Sequence, residues 1–535
     1  MSAPHHEQQF ERYIVDRLVE QGWLEGDNAG YDLARALYPE DVVGWIETTQ
    51  PEKWQKLVGQ HGRANAGKAV LDRLARELKK NGTPHVIKRG IQIAGAGIVR
   101  MSESAPEDAR QRDVVERYRA NRLRVVPQLR YHPTRPLAID LVLFINGIPV
   151  STVEVKTDFT QSAEAAMEQY MNDRPPREGR LEHPLLTFKR GAVVHFAVSD
   201  SDIRMTTRLD GTNTTFLPFN QGNGEGAGNP AREDGEYPVA YFWERVLQPD
   251  AWLRVFHQFV YVEKKTKLDR DGVPRDRETL IFPRFHQWEA VTRVIDDAQE
   301  KGAGHAYLLE HSAGSGKTST IAWTAHDLIR LRDTSGAPHF NSVIVVSDRN
   351  VLDKQLQDAM RQIDQQNGVV ETIDAGKSGQ SKSRQLAESL RQGTPIIVVT
   401  LQTFPHALEA IATDSRLSGK NFAVIVDEAH TSQTGDTAAK VKTALSADAP
   451  RTEDGIETYL QRMQESRARP SNVSYFAFTA TPKHATLQLF GRPADETAPP
   501  SGANPPRAFH RYTMRQAIEE GFILDVLQNY TAYKT

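Results

Sequence analysis

The sequence predicts a multidomain α/β protein in which a mostly helical segment and a small strand region precede a doubly wound parallel sheet. Three observations carry that expectation. In residues 1 to about 90 apolar side chains fall near helical spacing, with Phe10, Tyr13, Ile14, Val15 and Leu18 in one stripe and Leu71, Leu74 and Leu78 in another. Two strand candidates, Ala138 to Ile145 and Val150 to Lys156, flank Asn146-Gly147. Beyond about residue 250, short apolar strands alternate with helical segments: Ala306–Leu309, Val343–Val346, Ile396–Val399, Phe422–Val426 and Ser474–Phe478. The expected division is residues 1–250 and 251–535.

Composition narrows the function classes. A chain of 535 residues, 39% hydrophobic and 25% charged, can bury several cores and is not a disordered tail. Its formal net charge of -3 excludes a globally basic coat but leaves room for a local basic patch. With no cysteine there are no disulfides, thiolate zinc sites or cysteine nucleophiles, which fits a reducing compartment. No apolar run approaches the roughly 18 residues of a membrane span, and the first residues lack the layout of a secretory signal, so a cytoplasmic location is expected. Polar or Pro/Gly-rich breaks fall at Gln221 to Gly235, Gly376 to Arg384 and Ala494 to Arg507.

The first strand pair carries Asp140, Glu154 and Lys156 in otherwise apolar surroundings. Because strand side chains alternate, Glu154 and Lys156 share a face opposite Val153 and Val155. Two carboxylates with a neighbouring lysine suit magnesium-dependent phosphodiester hydrolysis: Asp140 and Glu154 would ligate the hard cation, and Lys156 would orient or deprotonate water. The bare Glu-x-Lys pattern decides little, since Glu77-Leu-Lys79 and Glu263-Lys-Lys265 share it and charged residues often decorate a strand's exposed face. Register supplies the test. A regular two-residue loop at Asn146-Gly147 would pair Asp140 with Val153 and turn it away from Glu154, whereas an odd loop or one bulge restores a common face. Pro149 cannot donate a ladder hydrogen bond, so a broken register is expected there. Just ahead, Arg110, Arg112, Arg117, Arg119, Arg122, Arg124, Arg130 and Arg135 face only Asp113 and Glu116, either a phosphate-binding surface or a solvated face.

In the second half, the strand at Ala306–Leu309 runs into Glu310-His-Ser-Ala-Gly-Ser-Gly-Lys-Thr318. Such a loop between strand and helix cradles phosphates: backbone amides of Gly314, Ser315 and Gly316 bind oxygens, Lys317 neutralises the terminal phosphates and Thr318 binds magnesium. His311 stands where the strict pattern has glycine. The alternative is a Gly-rich turn capping an ordinary helix. Asp427 and Glu428, at the end of Phe422–Val426, are placed to hold magnesium and to orient the attacking water, although Asp-Glu after a strand is often only a cap or a turn. Thr479 and Thr481 could relay the state of the terminal phosphate through His430, and Gln287 either reads adenine or is a surface amide at a helix start.

These residues resemble the first motor domain of superfamily-two helicases and translocases, in the DEAH-box style, from about 280 to 535, with Ser347-Asp-Arg349 and Thr400-Leu-Gln-Thr-Phe404 where strand-contacting loops lie. The resemblance implies a RecA-like motor that hydrolyses ATP while moving along nucleic acid. The family's second motor domain finds no room after Thr481, so weak ATP binding and slow hydrolysis are expected unless a longer form or a partner completes the cleft.

The run from Tyr131 through Ala138-Ile-Asp-Leu-Val-Leu-Phe-Ile-Asn-Gly-Ile-Pro-Val150 to Val153-Glu-Val-Lys156 resembles the endonuclease domain of type I restriction enzyme R (HsdR) subunits, as do Asp348-Arg-Asn-Val-Leu-Asp353 and Gln516-Ala-Ile-Glu-Glu-Gly-Phe-Ile-Leu-Asp525. That resemblance implies a PD-(D/E)xK restriction-endonuclease-like fold, Mg2+ and ATP as cofactors, ATP-driven translocation on double-stranded DNA, and assembly with methylation and specificity subunits. Many members follow the core with Gln-x-x-x-Tyr. Here Gln169 and Tyr170 are adjacent, Gln169 being the counterpart and Tyr170 at least as well read as a packed aromatic. Two other readings stand beside this one: a DEAH-type translocase whose N-terminal domain only binds or docks, and an inactive scaffold that occupies a partner.

Overall fold

The computed structural model describes residues 3–108, 110–158, 162–268, 274–347, 350–363, 369–373, 381–400, 403–417, 419–427 and 471–524. Glu428, His430, Asp348, Arg349 and residues 401–402 therefore lie outside the described residues. Packing divides the chain into two compact units, Met1–Gly224 with Gly228–Phe285, and Glu225–Ala227 with His286–Thr535. The boundary falls later than residue 250 because the aromatic rings of Trp252 and Phe256 pack against Phe282, with centroids 6.2 and 6.4 Å apart. Among the described residues no helix is long and apolar enough to cross a membrane.

The first unit opens with helices, as its spacing predicts: α1 (Ala3–Glu20), α2 (Pro39–Thr49), α3 (Pro51–His61), α4 (Arg63–Asn81) and α5 (Thr83–Arg89). The apolar stripe of α1 is buried at Phe10, Ile14, Val15 and Leu18, and that of α4 at Val70, Leu71, Leu74 and Leu78. After α6 (Arg112–Arg119) the chain builds a seven-stranded mixed sheet in sequential order: β1 (Leu24–Glu25), β2 (Leu123–Arg130), β3 (Ala138–Ile145), β4 (Ile148–Val155), β5 (Val194–Val198), β6 (Ile203–Thr206) and β7 (Leu217–Pro218). Strands β4 and β5 run parallel, joined across α7 (Ala163–Asp173), while β2, β3 and β4 are antiparallel, and a short helix, α8 (Pro249–Arg254), follows the sheet. Strand β4 starts at Ile148, two residues before the sequence expectation, because Asn146 and Gly147 alone form the turn, at φ 49 and 78. A Cβ on Gly147 would stand 2.3 Å from the carbonyl oxygen of Tyr38, so the turn needs glycine for space as well as for φ.

The register of β3 and β4 breaks as Pro149 suggests. Ile145 pairs with Ile148 and Phe144 with Pro149, but Leu143 pairs with Ser151, leaving Val150 as a one-residue bulge. Past the bulge Leu141 faces Val153, and the same ladder brings Asp140 opposite Glu154.

The second unit is a seven-stranded sheet with every pairing parallel: β8 (Ala306–His311), β9 (Ser342–Ser347), β10 (Val370–Thr372), β11 (Ile396–Thr400), β12 (Phe422–Asp427), β13 (Val473–Thr479) and β14 (His510–Tyr512), in the order β10-β11-β9-β12-β13-β8-β14. The central strands are buried on both faces, which is why they read as unbroken apolar runs. Helices α9 (Phe285–Lys301), α10 (Lys317–Arg330), α11 (Asn350–Ile363), α12 (Lys382–Gln392), α13 (Phe404–Thr413), α14 (His484–Phe490) and α15 (Met514–Glu519) alternate with them. Leu386, Leu390, Phe404, Leu408 and Phe490 from α12, α13 and α14 pack on the sheet face made by Ile344, Ile397, Val424 and Tyr475.

Candidate active sites

In the first unit the bulged hairpin, α1, β2 and α7 converge on two acids. Asp140 and Glu154 are 8% and 0% exposed. Asp140 accepts the backbone N–H of Val155 on Oδ2 at 2.8 Å and the Gln128 amide on Oδ1 at 3.1 Å. Glu154 accepts Arg174 Nε on Oε1 at 2.6 Å, while Glu154 Oε2 is buried with no hydrogen-bond partner among the described residues. Burial first, then the charge of Asp140 beside it, pushes the Glu154 carboxyl well above the usual carboxylate range. Two acids crowded against one orphaned oxygen form a donor set short of positive charge, and hard-oxygen donors of this kind fit a divalent cation.

Lys156 points from the end of β4 toward α1. Its Nζ donates to Glu7 Oε1 at 2.7 Å and to the Val155 carbonyl at 3.0 Å. One turn on, Glu11 is 8% exposed and its Oε2 accepts the same Gln128 Nε2 at 2.7 Å that donates to Asp140. Burial is the main force lifting Glu11 to about 7, with Asp140 and Glu7 pushing the same way and Gln128 and Lys156 opposing. Gln128 sits at φ 48, a conformation disfavoured for a residue with a Cβ, in order to aim that amide. Glu7, Glu11, Gln128 and Arg174 escape the sequence reading. A signal existed for two of them: Glu7 and Glu11 continue the buried stripe of Ile14 and Leu18 at spacings of four and three, so acids sit where apolar side chains are expected.

Gln169 is half-buried, and among the described residues no hydrogen bond joins it to either acid. Tyr170 is packed inward: its hydroxyl lies 2.8 Å from Thr152 Oγ1, itself 2.7 Å from His195 Nδ1. Burial pushes His195 down to about 3, so this is a chain of neutral groups that ties α7 to the sheet and so fixes where Arg174 emerges. The proposed arginine surface is corrected in part. Arg124 is buried in a paired contact with Asp41, 2.6 and 2.9 Å long, over the Tyr38 ring; Arg117 donates to Glu103, Arg110 to Asp108 and Arg135 to Glu178. Acids distant in sequence neutralise Arg117 and Arg124, while Arg110 and Arg135, although paired, stay exposed together with Arg112, Arg119 and Arg130.

In the second unit, β8, β13 and β12 are neighbours whose carboxyl ends lie level, with Glu310 opposite Thr479 and Asp427 opposite Phe478. The phosphate-type loop, Thr479 and Asp427 thus leave the sheet side by side, where parallel sheets bind ligands. Gly314 and Gly316 adopt φ 72 and 78, and Gly316 caps α10. Ser315 is buried and Thr318 half-buried in the first turn. Lys317 Nζ rests 3.2 Å from the His311 carbonyl and 3.5 Å from that of Ser312. Gln287 is 5% exposed and donates to the Gly316 carbonyl at 3.1 Å, so it is no surface amide. Thr479 is buried and its Oγ1 accepts the Thr481 N–H at 3.4 Å.

Comparison with known proteins divides the chain along the same lines. Residues 6–214 match the family described as type I restriction enzyme R protein N terminus, and residues 286–534 match the SWI2/SNF2 ATPase family. The HindI endonuclease subunit of a type I restriction enzyme from Haemophilus influenzae is 24% identical over 519 residues, covering 91% of this chain and 44% of its own. The SauCOLORF180P endonuclease subunit from Staphylococcus aureus is 22% identical over 426 residues, covering 77% and 36%. A solved nuclease-deletion mutant of the type ISP restriction-modification enzyme LlaGI, bound to a DNA substrate mimic, is 17% identical over 45% of this chain and 21% of its own, with a TM-score of 0.26, too loose to carry any argument. The chain spans less than half the length of these two curated relatives.

Proposed function

We propose that this HsdR-like chain is the restriction subunit of a type I restriction-modification enzyme, or its N-terminal portion, with a PD-(D/E)xK-type nuclease centre in the first unit and a RecA-like, ATP-driven DNA motor in the second. The observation that carries the nuclease half is the Val150 bulge, which gives Asp140 and Glu154 one face in the segment matched to R protein N termini.

In this reading Asp140 and Glu154 hold Mg2+, which when bound polarises the phosphodiester and lowers the pKa of a water. The chain's own groups do the rest. Arg174 offsets the buried Glu154 charge, Gln128 fixes Asp140 and Glu11 in one orientation, and Lys156 rests its Nζ against Glu7 until substrate phosphate competes for it. Gln169, on the helix held by Tyr170, faces DNA. In the motor, the amides of Gly314 to Gly316 bind phosphate oxygens, Lys317 turns from its carbonyl contacts to the terminal phosphates, and Thr318 with Asp427 holds Mg2+. Glu428 orients the attacking water, while His430, Thr479 and Thr481 couple the terminal phosphate to DNA movement. Methylation and specificity subunits choose the site, since base-reading modules are not apparent in the sequence.

The test is cleavage of plasmid DNA by the chain assembled with methylation and specificity subunits, Mg2+ and ATP. Lys156→Ala is expected to remove cutting while ATP turnover persists, and Lys317→Ala to remove both. Undiminished cutting by Lys156→Ala would overturn the nuclease assignment; assembly without either activity in the unaltered protein would favour the scaffold.

A further inference from the structure

Behind the phosphate-type loop lies a buried line of titratable groups that the reading above leaves unused. His311, fully buried at the end of β8, places Nε2 2.9 Å from His510 Nδ1 on the neighbouring β14. His510, 3% exposed, places Nε2 3.4 Å from Glu289 Oε2 on α9. At its inner end the line joins the loop through the backbone, since Lys317 rests on the carbonyls of His311 and Ser312. Both flanks of the loop are fixed by the same elements: His286 of α9 meets the Ser315 carbonyl at 3.0 Å and stacks on Tyr512 of β14 at 3.7 Å, and the Tyr512 carbonyl accepts the Ser312 N–H at 3.0 Å.

We propose that Glu289, His510 and His311 form a proton-holding brace that positions the phosphate loop and tightens its grip on a triphosphate when it takes up one proton. It rests on the nucleotide reading of the loop. A neutral imidazole carries a single N–H. With one proton on each ring, His510 Nε2–H faces Glu289 and His311 Nε2–H donates to His510 Nδ1. One further proton enters at His311 Nδ1 while the His311 Nε2 proton passes to His510 Nδ1. His510 becomes an imidazolium held by Glu289, and its Nδ1–H now donates to His311. The gain is one positive charge in a buried setting, on the strands that carry and flank the phosphate loop. Histidine is the side chain that can make this change near neutral pH.

The other charged groups around the brace do not replace it. On α9 these are His286, which is committed to Ser315, and Arg293, whose guanidinium lies over Phe509. On β8 and the loop they are Glu310 and Lys317; on β14 they are Arg511, which pairs with Glu310 at 2.9 Å, and Tyr512, which donates to Glu520 at 2.6 Å. His311, His510 and Glu289 are positioning residues, since they reach the ligand only through the loop.

The experiment uses the full chain, Mg2+ and a fluorescent non-hydrolysable ATP analogue, with affinity measured from pH 8 to pH 6 in wild type, His510→Gln and Glu289→Gln. The nucleotide's own titration is common to all three and cancels in the comparison. Wild type is expected to bind more tightly relative to His510→Gln as pH falls, by about threefold to tenfold at pH 6, with the two converging at pH 8. Parallel profiles would overturn the brace. A second readout needs no nucleotide: in 15N-histidine-labelled chain, the ring signals of His311 and His510 respond to pH as one coupled pair, and Glu289→Gln alters that shared response. Independent titration of the rings also overturns the proposal. If wild type binds no analogue at any pH while the rings titrate as a pair, the nucleotide reading is what fails, and the coupling to a triphosphate falls with it.

Discussion

Replacing Glu11 by glutamine tests the electrostatics of the first site before any DNA is cut. Glu11 is buried beside Asp140 and Glu7, and its pKa is lifted from 4.5 to about 7. A carboxyl with a raised folded pKa stabilises the fold fully below its unfolded pKa, and that contribution is lost as pH rises through the folded value. For Glu11 the loss runs from about pH 4.5 to about pH 7. At 1.36 kcal/mol per pH unit the interval corresponds to about 3 kcal/mol, which partial solvent access trims to about 2 kcal/mol. Glu154 moves in the same direction, so wild-type protein in chelator loses stability over this range and Glu11→Gln removes the Glu11 share. The assay is urea unfolding followed by tryptophan fluorescence, to which Trp23, Trp45, Trp54, Trp243 and Trp252 report from the first unit. Glu11→Gln is expected to match wild type near pH 4.5 and to exceed it by about 2 kcal/mol at pH 8. Added Mg2+ should narrow that gap by favouring the ionised carboxyls. An equal fall with pH in both proteins would refute the account of the acidic cluster.

Two further outcomes follow from single contacts. Arg174→Ala strands a buried Glu154 charge and is expected to cost about 3–5 kcal/mol in the same unfolding assay, much of it recovered by adding Glu154→Gln; a loss below about 1 kcal/mol would contradict the buried pair. Lys317→Ala is expected to weaken binding of the ATP analogue at least about tenfold without moving the thermal transition, as charge-assisted phosphate contacts require; unchanged affinity would remove the lysine from the nucleotide site.

The parallel sheet was legible because strands buried on both faces write themselves as apolar runs, and Ile396–Thr400 or Phe422–Asp427 differ from expectation only at their last residue. The bulge was legible through Pro149, which has no N–H for the ladder. Strand β2 was hidden because Arg124, Pro127 and Gln128 interrupt its apolar alternation, and two of them are there for a tertiary reason: Arg124 pairs with Asp41 and Gln128 serves the acids. The same long-range pairing made the arginine run look like an open basic surface. His510 lies in a three-residue strand too short to announce itself. Charged groups that act through partners far along the chain leave no periodic trace, whereas backbone geometry and apolar burial do.

The central claim is that Asp140 and Glu154 share one divalent ion. Diffraction from crystals soaked in Mn2+, collected at the manganese edge, tests it most directly. The account predicts an anomalous peak within coordination distance of both Asp140 and the Oε2 of Glu154, which has no hydrogen-bond partner among the described residues, lost in Asp140→Asn; a manganese-loaded crystal with no peak between those two carboxylates would contradict it.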